Sequence, residues 1–325
     1  MAYSQSIQQR ALTRLQQEKE QNELAERARI AAIYERAPRL AQIERELRKT
    51  SAHILAATFR AQGDPVAAMR QLKQDNLALQ HERDWILQTE GLESQELDVQ
   101  PICPHCGGTG YVGAAMCECL HELCRQEQKK ELAPLIGSGN VSFEKARLDV
   151  YSDQYDPNCR CVPRKLMQQA LRRAADYAQQ FTPNAPSLLF QGATGLGKTF
   201  LSGCIARVVC DRGFSVCYAP VARLFAALED DKFRPRPDGS RAEDFFSCDL
   251  LILDDLGTEL VTQFTVSALY RLVNERLLDK KPVILSTNLT PDELGARYSP
   301  QIVSRILGSY TLYPFYGEDL RFKLK

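Results

Sequence analysis

Gly192-Ala193-Thr194-Gly195-Leu196-Gly197-Lys198-Thr199 fits G-x-x-x-x-G-K-[ST], the phosphate-binding loop of nucleoside triphosphatases. Glycines there let backbone N–H groups turn inward around phosphates. Lys198 has the reach for the β- and γ-phosphates, and the Thr199 hydroxyl can sit on Mg²⁺. Downstream, Leu250-Leu251-Ile252-Leu253-Asp254-Asp255 is an apolar run that ends in two acids. A run of this kind is a buried parallel strand that delivers carboxylates to one end of a sheet. Asp254, the first acid, suits Mg²⁺, usually through water. Asp255 can orient or deprotonate an attacking water. Val283-Ile284-Leu285-Ser286-Thr287-Asn288 is a second apolar strand with a polar end. The Asn288 amide can bond the γ-phosphate or the water without competing for the metal; capping the turn before Pro291 is its alternative role. In Ser304-Arg305-Ile306, Arg305 can stabilise transition-state charge on a neighbouring subunit's nucleotide, with Arg297 as second choice. A plain helix-surface arginine is the competing reading.

A second chemistry lies further forward. Cys103 and Cys106 form a C-x-x-C turn, and Cys117 and Cys119 follow across a glycine-rich hairpin. Four thiolates in this pattern fit one tetrahedral structural Zn²⁺. His121 and Cys124 are alternatives for the fourth ligand. Redox work by C-x-x-C is the rival, and the βαβ setting of a redox fold is missing. Cys159 and Cys161 are read as ordinary thiols.

These residues need elements to hold them. Ser187-Leu188-Leu189-Phe190 reads as the strand entering the loop, and Phe200 to Cys210 as the helix leaving it, its N-terminus aimed at the anion. Residues 166–181 read as a helix leading into that strand. Ahead of the cysteines, Ile33, Leu40, Leu47 and Ile54 recur every seventh residue with Ile43 between them, and Leu72, Leu79 and Ile86 repeat the pattern. Pro38 marks a break and Gly63-Asp64-Pro65 a turn, so two or three helices fold into a partner-binding module. The expected domains are a helical module at 1–100, a zinc knuckle at 101–125, a linker at 126–160 and a nucleotide domain at 161–325. Pro134, Gly137, Gly139, Asp156 and Pro157 interrupt the linker.

The whole chain sets bounds on function. Its 325 residues, 44% hydrophobic and 25% charged, are those of a multi-domain globular protein. Met1 to Ser6 lacks the apolar core of a signal peptide, no run reaches membrane-spanning length, and eleven cysteines then imply a reducing compartment. A cytoplasmic protein without a membrane partner is expected. Formal net charge is zero, so any nucleic-acid surface must be local. Residues 221–246 offer one: Arg223, Lys232, Arg234, Arg236 and Arg241 interleave with Phe225, Phe233, Phe245 and Phe246. Cations among aromatics can follow single-stranded DNA by phosphate contacts and base stacking. Glu229, Asp230, Asp231, Glu243 and Asp244 offset that charge, and the phenylalanines can equally be core.

The loop, Leu253-Asp254-Asp255-Leu256-Gly257, Ser286-Thr287-Asn288 and Ser304-Arg305-Ile306, in this order, resemble the AAA+ ATPases of the DnaC/DnaI helicase-loader family and the related IstB transposition helpers. Leu269-Tyr270-Arg271-Leu272-Val273-Asn274-Glu275-Arg276 belongs to the same resemblance, which runs from about Ser142 to Lys325. It implies an α/β AAA+ fold with a parallel sheet, preceded by the helical module and the zinc knuckle. Lys198, Thr199 and Asp254 would bind ATP–Mg²⁺, Asp255 would be the catalytic acid, Asn288 the sensor and Arg305 a finger acting in trans. Phe315-Tyr316-Gly317-Glu318-Asp319-Leu320-Arg321 resembles the family's ending, with Arg321 as a second sensor and little room for a helical lid. The implied partners are a DnaB-type replicative helicase, single-stranded DNA and further copies of the chain. The cysteine knuckle is similar to that of loaders from Gram-positive bacteria and their phages. A transposition helper is the alternative, and so is a nucleotide switch with negligible turnover, because Asp255 stands where many AAA+ proteins carry Glu.

Overall fold

Pro38 divides the first helical stretch in two. Helix α1 spans Gln5–Arg36 and α2 spans Pro38–Phe59, with the proline in the first turn, where no intrahelical N–H bond is lost. The computed structural model describes residues 3–59, 65–136, 141–157, 160–233 and 242–322, without the side chains of 50–59 and 65–69. Ile54, Gly63, Asp64, Gly137, Gly139, Cys159, Arg234, Arg236 and Arg241 of the sequence reading fall outside that description.

The chain forms two units, residues Thr13–Cys117 and residues Met1–Leu12 with Glu118–Lys325. In the first, α3 (Pro65–Glu90) packs against α2. Ile33, Ala37, Leu40, Leu87 and Leu97 are buried together; Ile33 and Leu40 come from the seven-residue seam, while Leu47, Leu72, Leu79 and Ile86 are half-buried. Arg83 pairs with Glu44 at 2.6 Å and Arg39 with Glu82 at 2.7 Å across the helix pair. A short antiparallel hairpin, β1 (Tyr111–Val112) with β2 (Ala115–Met116), follows.

The second unit is a parallel α/β layer structure. Helix α4 (Glu118–Ile136) runs through a stretch read from sequence as connector, with Pro134 in its last turn; it buries Leu120, Leu123, Cys124 and Leu132 and packs on the loop helix and the neighbouring strand. Then come α5 (Pro163–Gln179), β3 (Ser187–Gln191), α6 (Lys198–Asp211), β4 (Val216–Pro220), α7 (Val221–Phe233) and α8 (Glu243–Ser247). The chain continues with β5 (Leu250–Leu256), α9 (Gln263–Leu278), β6 (Val283–Thr287), α10 (Pro291–Arg297), α11 (Pro300–Ser309) and β7 (Tyr310–Pro314). The five long strands lie parallel in the order β4-β5-β6-β3-β7. Their near-continuous apolar sequences follow from helices covering both faces. All strands point their C-terminal ends toward the phosphate loop, the end where open α/β sheets bind ligands. Residues 3–12 belong to this unit: the Tyr3 hydroxyl donates to the Gly213 carbonyl at 3.1 Å, and Arg10 pairs with Glu131 at 2.7 Å. Among the described helices, none is long and apolar enough to cross a membrane.

One helix carries an unusual anchor. Arg276 of α9 is 1% exposed and has no carboxylate partner among the described residues; its guanidinium donates to the carbonyls of Phe245, Phe246, Cys248 and Pro282 at 2.9–3.2 Å. It ties α8 and the entrances to β5 and β6 to a single side chain. Cys161, read as a thiol, is disulfide-bonded.

Candidate nucleotide site

The loop from Gly192 to Gly197 leaves β3 and enters α6 in left-handed backbone that side chains resist, with φ of 75° at Gly195 and 93° at Gly197. Close packing adds a second demand. A Cβ on Gly192 would collide with the Phe315 carbonyl, and one on Gly195 with the Asp319 carboxylate. The segment after β7 clasps the loop from outside: Phe315 N–H donates to Gln191 O at 2.7 Å, and Leu320 N–H to Gly195 O at 3.0 Å. The Tyr151 hydroxyl secures the far side by donating to Leu196 O at 3.0 Å.

Lys198 is 5% exposed, and its ammonium donates to the carbonyls of Gly192 and Ala193 at 2.7 and 2.8 Å. Burial lowers its pKa, and Asp255 and Asp254 oppose that shift. Carbonyl acceptors of this kind are readily exchanged for phosphate oxygens, so the loop fits a triphosphate. Thr194, Lys198, Thr199, Asp255 and Arg321 line a cavity of about 440 Å³, and Ala193 is exposed beside it. Its other wall is apolar, formed by Val150, Tyr151, Met167, Leu171 and Leu320, and matches the flat face of a base.

The acids at the end of β5 divide. Asp254 is buried, and both its oxygens accept neutral hydroxyls: Tyr218 at 2.8 Å and Ser286. Asp255 adopts φ of 59° and turns its exposed carboxylate to the cavity. Burial, then Asp254, raises its pKa, while Lys198 acts against the rise. Asn288 is exposed one residue beyond Thr287, whose carbonyl accepts the Gly192 N–H at 3.2 Å. Asn288 and Asp254 are not among the lining residues of the cavity.

Arg305 lies elsewhere, on α11. It stacks on Tyr270 of α9 at 5.1 Å and donates to its hydroxyl at 3.0 Å. Arg297 donates to the Glu259 carbonyl. Arg321 reaches the cavity rim but is paired with Asp319.

The sequence reading missed Val150 and Tyr151 because they lie in the stretch taken as a linker. Ser286 and Asp319 stand inside quoted motifs but were given no role of their own, and Tyr218 carried no motif. Of the aromatics considered for DNA, Phe225 and Phe245 are core residues, buried at 5% and 4% exposure. Phe233 is exposed, Arg271 stacks on Phe246 at 5.1 Å, and Lys232 lies 5.2 Å over Phe264.

The four sulfurs of Cys103, Cys106, Cys117 and Cys119 lie within 4.8 Å of one another, and Cys103 and Cys117 are 3.8 Å apart. Sulfurs ~3.8 Å apart are what tetrahedral Zn–S bonds of about 2.3 Å require. The Gly110 N–H donates to the Cys106 sulfur at 3.3 Å, which favours its thiolate. The donor set fits zinc. His121 and Cys124 stand outside the group, and burial pushes the Cys124 thiol up to about 11.

Residues 160–308 match the family model for the IstB-like ATP binding protein. The nucleotide domain is thus similar to the IstB-like ATP-binding proteins over those residues. Among similar chains, the replicative helicase loader DnaC of Escherichia coli K12 is 27% identical over 154 residues, 46% of this chain and 62% of the relative. An insertion sequence IS21 putative ATP-binding protein of Pseudomonas aeruginosa is 27% identical over 45% of this chain and 56% of its own length. The chain thus spans about three fifths of the curated relatives it matches. A crystal structure of the DnaC helicase loader aligns with 54% of this chain and 98% of its own at 20% identity and a TM-score of 0.44. The matched family is one of ATP-binding proteins, and the loop, acid pair and apolar wall of this chain supply parts that suit a nucleotide.

Proposed function

We propose that this protein is an ATP-dependent loader that acts on a replicative helicase and single-stranded DNA and hydrolyses ATP as it does so. The reading is carried by one combination: a DnaC-type nucleotide domain that follows a helical module and a four-cysteine group in the same chain. The helical module and zinc knuckle bind the helicase, and the exposed aromatics and cations of α7–α9 contact the DNA strand. The cysteine group supports a loader over a transposition helper.

In the nucleotide step, Lys198 exchanges the Gly192 and Ala193 carbonyls for phosphate oxygens. Thr199 and Asp254 would hold Mg²⁺, which supplies charge neutralisation on the phosphates when bound. Asp255 orients and deprotonates the attacking water, and Asn288 fixes its position against the γ-phosphate. Arg305 and its Tyr270 support face outward to complete the site of a neighbouring copy, while Arg321 reads the bound nucleotide in its own chain.

The test mixes the protein with its host's replicative helicase, ATP and single-stranded DNA, then sizes the mixture and measures turnover. Co-migration that is lost on deleting residues 13–117, with DNA-stimulated turnover lost in Asp255→Ala, is the expected result. Absence of co-migration defeats the loader. Absence of turnover with retained ATP binding favours a nucleotide switch.

A further inference from the structure

Asp254 and Asp255 are adjacent in sequence yet meet different surroundings, and two hydroxyls outside the loop govern the difference. Asp254 is 6% exposed, so its charge needs compensation from the protein. Tyr218 on β4 donates to one of its oxygens at 2.8 Å and Ser286 on β6 to the other. Strands on both sides of β5 therefore hold this carboxylate.

Ser286 has a second task. A serine hydroxyl has one proton to give and lone pairs to receive. Having donated to Asp254, its oxygen accepts the backbone N–H of Asp255 at 2.9 Å. That bond sits inside an irregularity of the β5–β6 ladder, where pairing skips from Leu253 to Leu256. Pairing resumes through Leu256 and Thr287, and the Thr287 hydroxyl donates to the Leu256 carbonyl at 2.7 Å. Asp255 occupies the bulge at φ of 59°, a conformation that is unfavourable for a non-glycine residue and persists only where surroundings enforce it. Bulges of this kind re-aim side chains beside active sites. Here the bulge sends the Asp255 carboxylate to the cavity that Lys198 and Thr199 line.

We infer that Tyr218 and Ser286 are positioning residues for the metal-dependent step: Tyr218 fixes the orientation of Asp254, and Ser286 sets Asp254 and Asp255 together. This rests on the nucleotide-hydrolysis reading above. Tyr218 is the donor in its contact, since a carboxylate oxygen has no proton to give and the phenol hydroxyl has one. Ser286 also precedes Asn288 on the same strand end, so one hydroxyl links the sensor strand to both acids.

The test compares the full-length chain with Tyr218→Phe and Ser286→Ala. Binding of a fluorescent, non-hydrolysable ATP analogue is measured in EDTA and over a Mg²⁺ series, alongside the Mg²⁺-dependent rise in melting temperature and the turnover rate. Both variants should bind the analogue in EDTA within twofold of wild type, which certifies the fold and the loop. The Mg²⁺ concentration for half-maximal binding should rise by about tenfold or more, the effect of losing a group that orients a metal ligand. Ser286→Ala should also lose turnover at saturating Mg²⁺, because it releases Asp255, whereas Tyr218→Phe should recover most of it. Mg²⁺ dependence and turnover equal to wild type in both variants overturns the inference alone. A wild-type chain that binds no Mg²⁺–nucleotide overturns the proposed function and this inference with it.

Discussion

Asp319 and Arg321 form a two-point ion pair at the mouth of the phosphate loop, with Arg321 Nε 3.0 Å from Oδ1 and 3.1 Å from Oδ2. The pair lowers the pKa of Asp319 and raises that of Arg321. Asp319 also packs against Gly195. A carboxylate thus stands against the loop that receives phosphates, and it occupies the one cation that the chain's last turn offers to the cavity among the described residues.

Removing that charge should strengthen nucleotide binding. Asp319→Asn is expected to raise ATP affinity a few-fold and AMP affinity hardly at all, because the gain scales with phosphate charge and with the freeing of Arg321. Calorimetry at two salt concentrations checks it, and the gain should shrink at the higher salt.

Under the proposed hydrolysis, Asp255 should set a pH limit on turnover. Its pKa is raised by burial and by Asp254, and the base must be ionised to work. The rate should therefore fall as pH drops, beginning above the range of an ordinary carboxylate. In Asp255→Asn turnover should be lost while ATP binding remains, so a pH profile of both quantities separates this role from a structural one.

Asp244 should make the fold pH-sensitive. Burial, then the like charges of Glu131 and Glu243, raise its pKa from the ordinary 3.8 to about 6. The folded chain therefore holds this proton more tightly than the unfolded one, so the stability it contributes is full below the ordinary value and is lost as pH rises through about 6. Asp244→Asn should raise the melting temperature by a few degrees at pH 7.5 and leave it unchanged near pH 4.

Arg276 should be a stability residue. Arg276→Met leaves four backbone carbonyls without their donor and should cost about 3–5 kcal/mol in urea unfolding. Arg271→Met on the same helix, whose partner Glu275 is a surface neighbour, should cost under about 1 kcal/mol.

Zinc should be stoichiometric. The purified chain should release one Zn²⁺ on thiol modification, read with a colorimetric chelator, and Cys106→Ser should release much less.

What the sequence made legible is what local pattern can encode. The loop glycines, the acid-ended strand and the seven-residue seam announce themselves because phosphate binding, burial and helix pairing each impose a fixed spacing. Arg276 did not: one turn of helix away from Arg271, it carries the same composition, and only the arrival of α8 and two strand ends makes it core. Tyr218 and Ser286 read as ordinary strand residues, since their role depends on β4 and β6 flanking β5. Val150 and Tyr151 sit in short 3₁₀ turns between prolines and glycines, where no periodicity exists to betray a binding wall. Phe225 and Phe245 looked like stacking platforms because sequence gives an aromatic's presence and not its side of the helix.

The clasp from Phe315 and Leu320 onto the phosphate loop has a consequence for biogenesis. The loop is encoded ahead of most of its sheet, but β7 and the turn after it leave the ribosome after the other four strands of that sheet. A nascent chain carries the whole G-x-x-x-x-G-K-[ST] stretch long before the contacts that hold it in shape exist. The loop is therefore held in this shape only once β7 and the segment after it have been made.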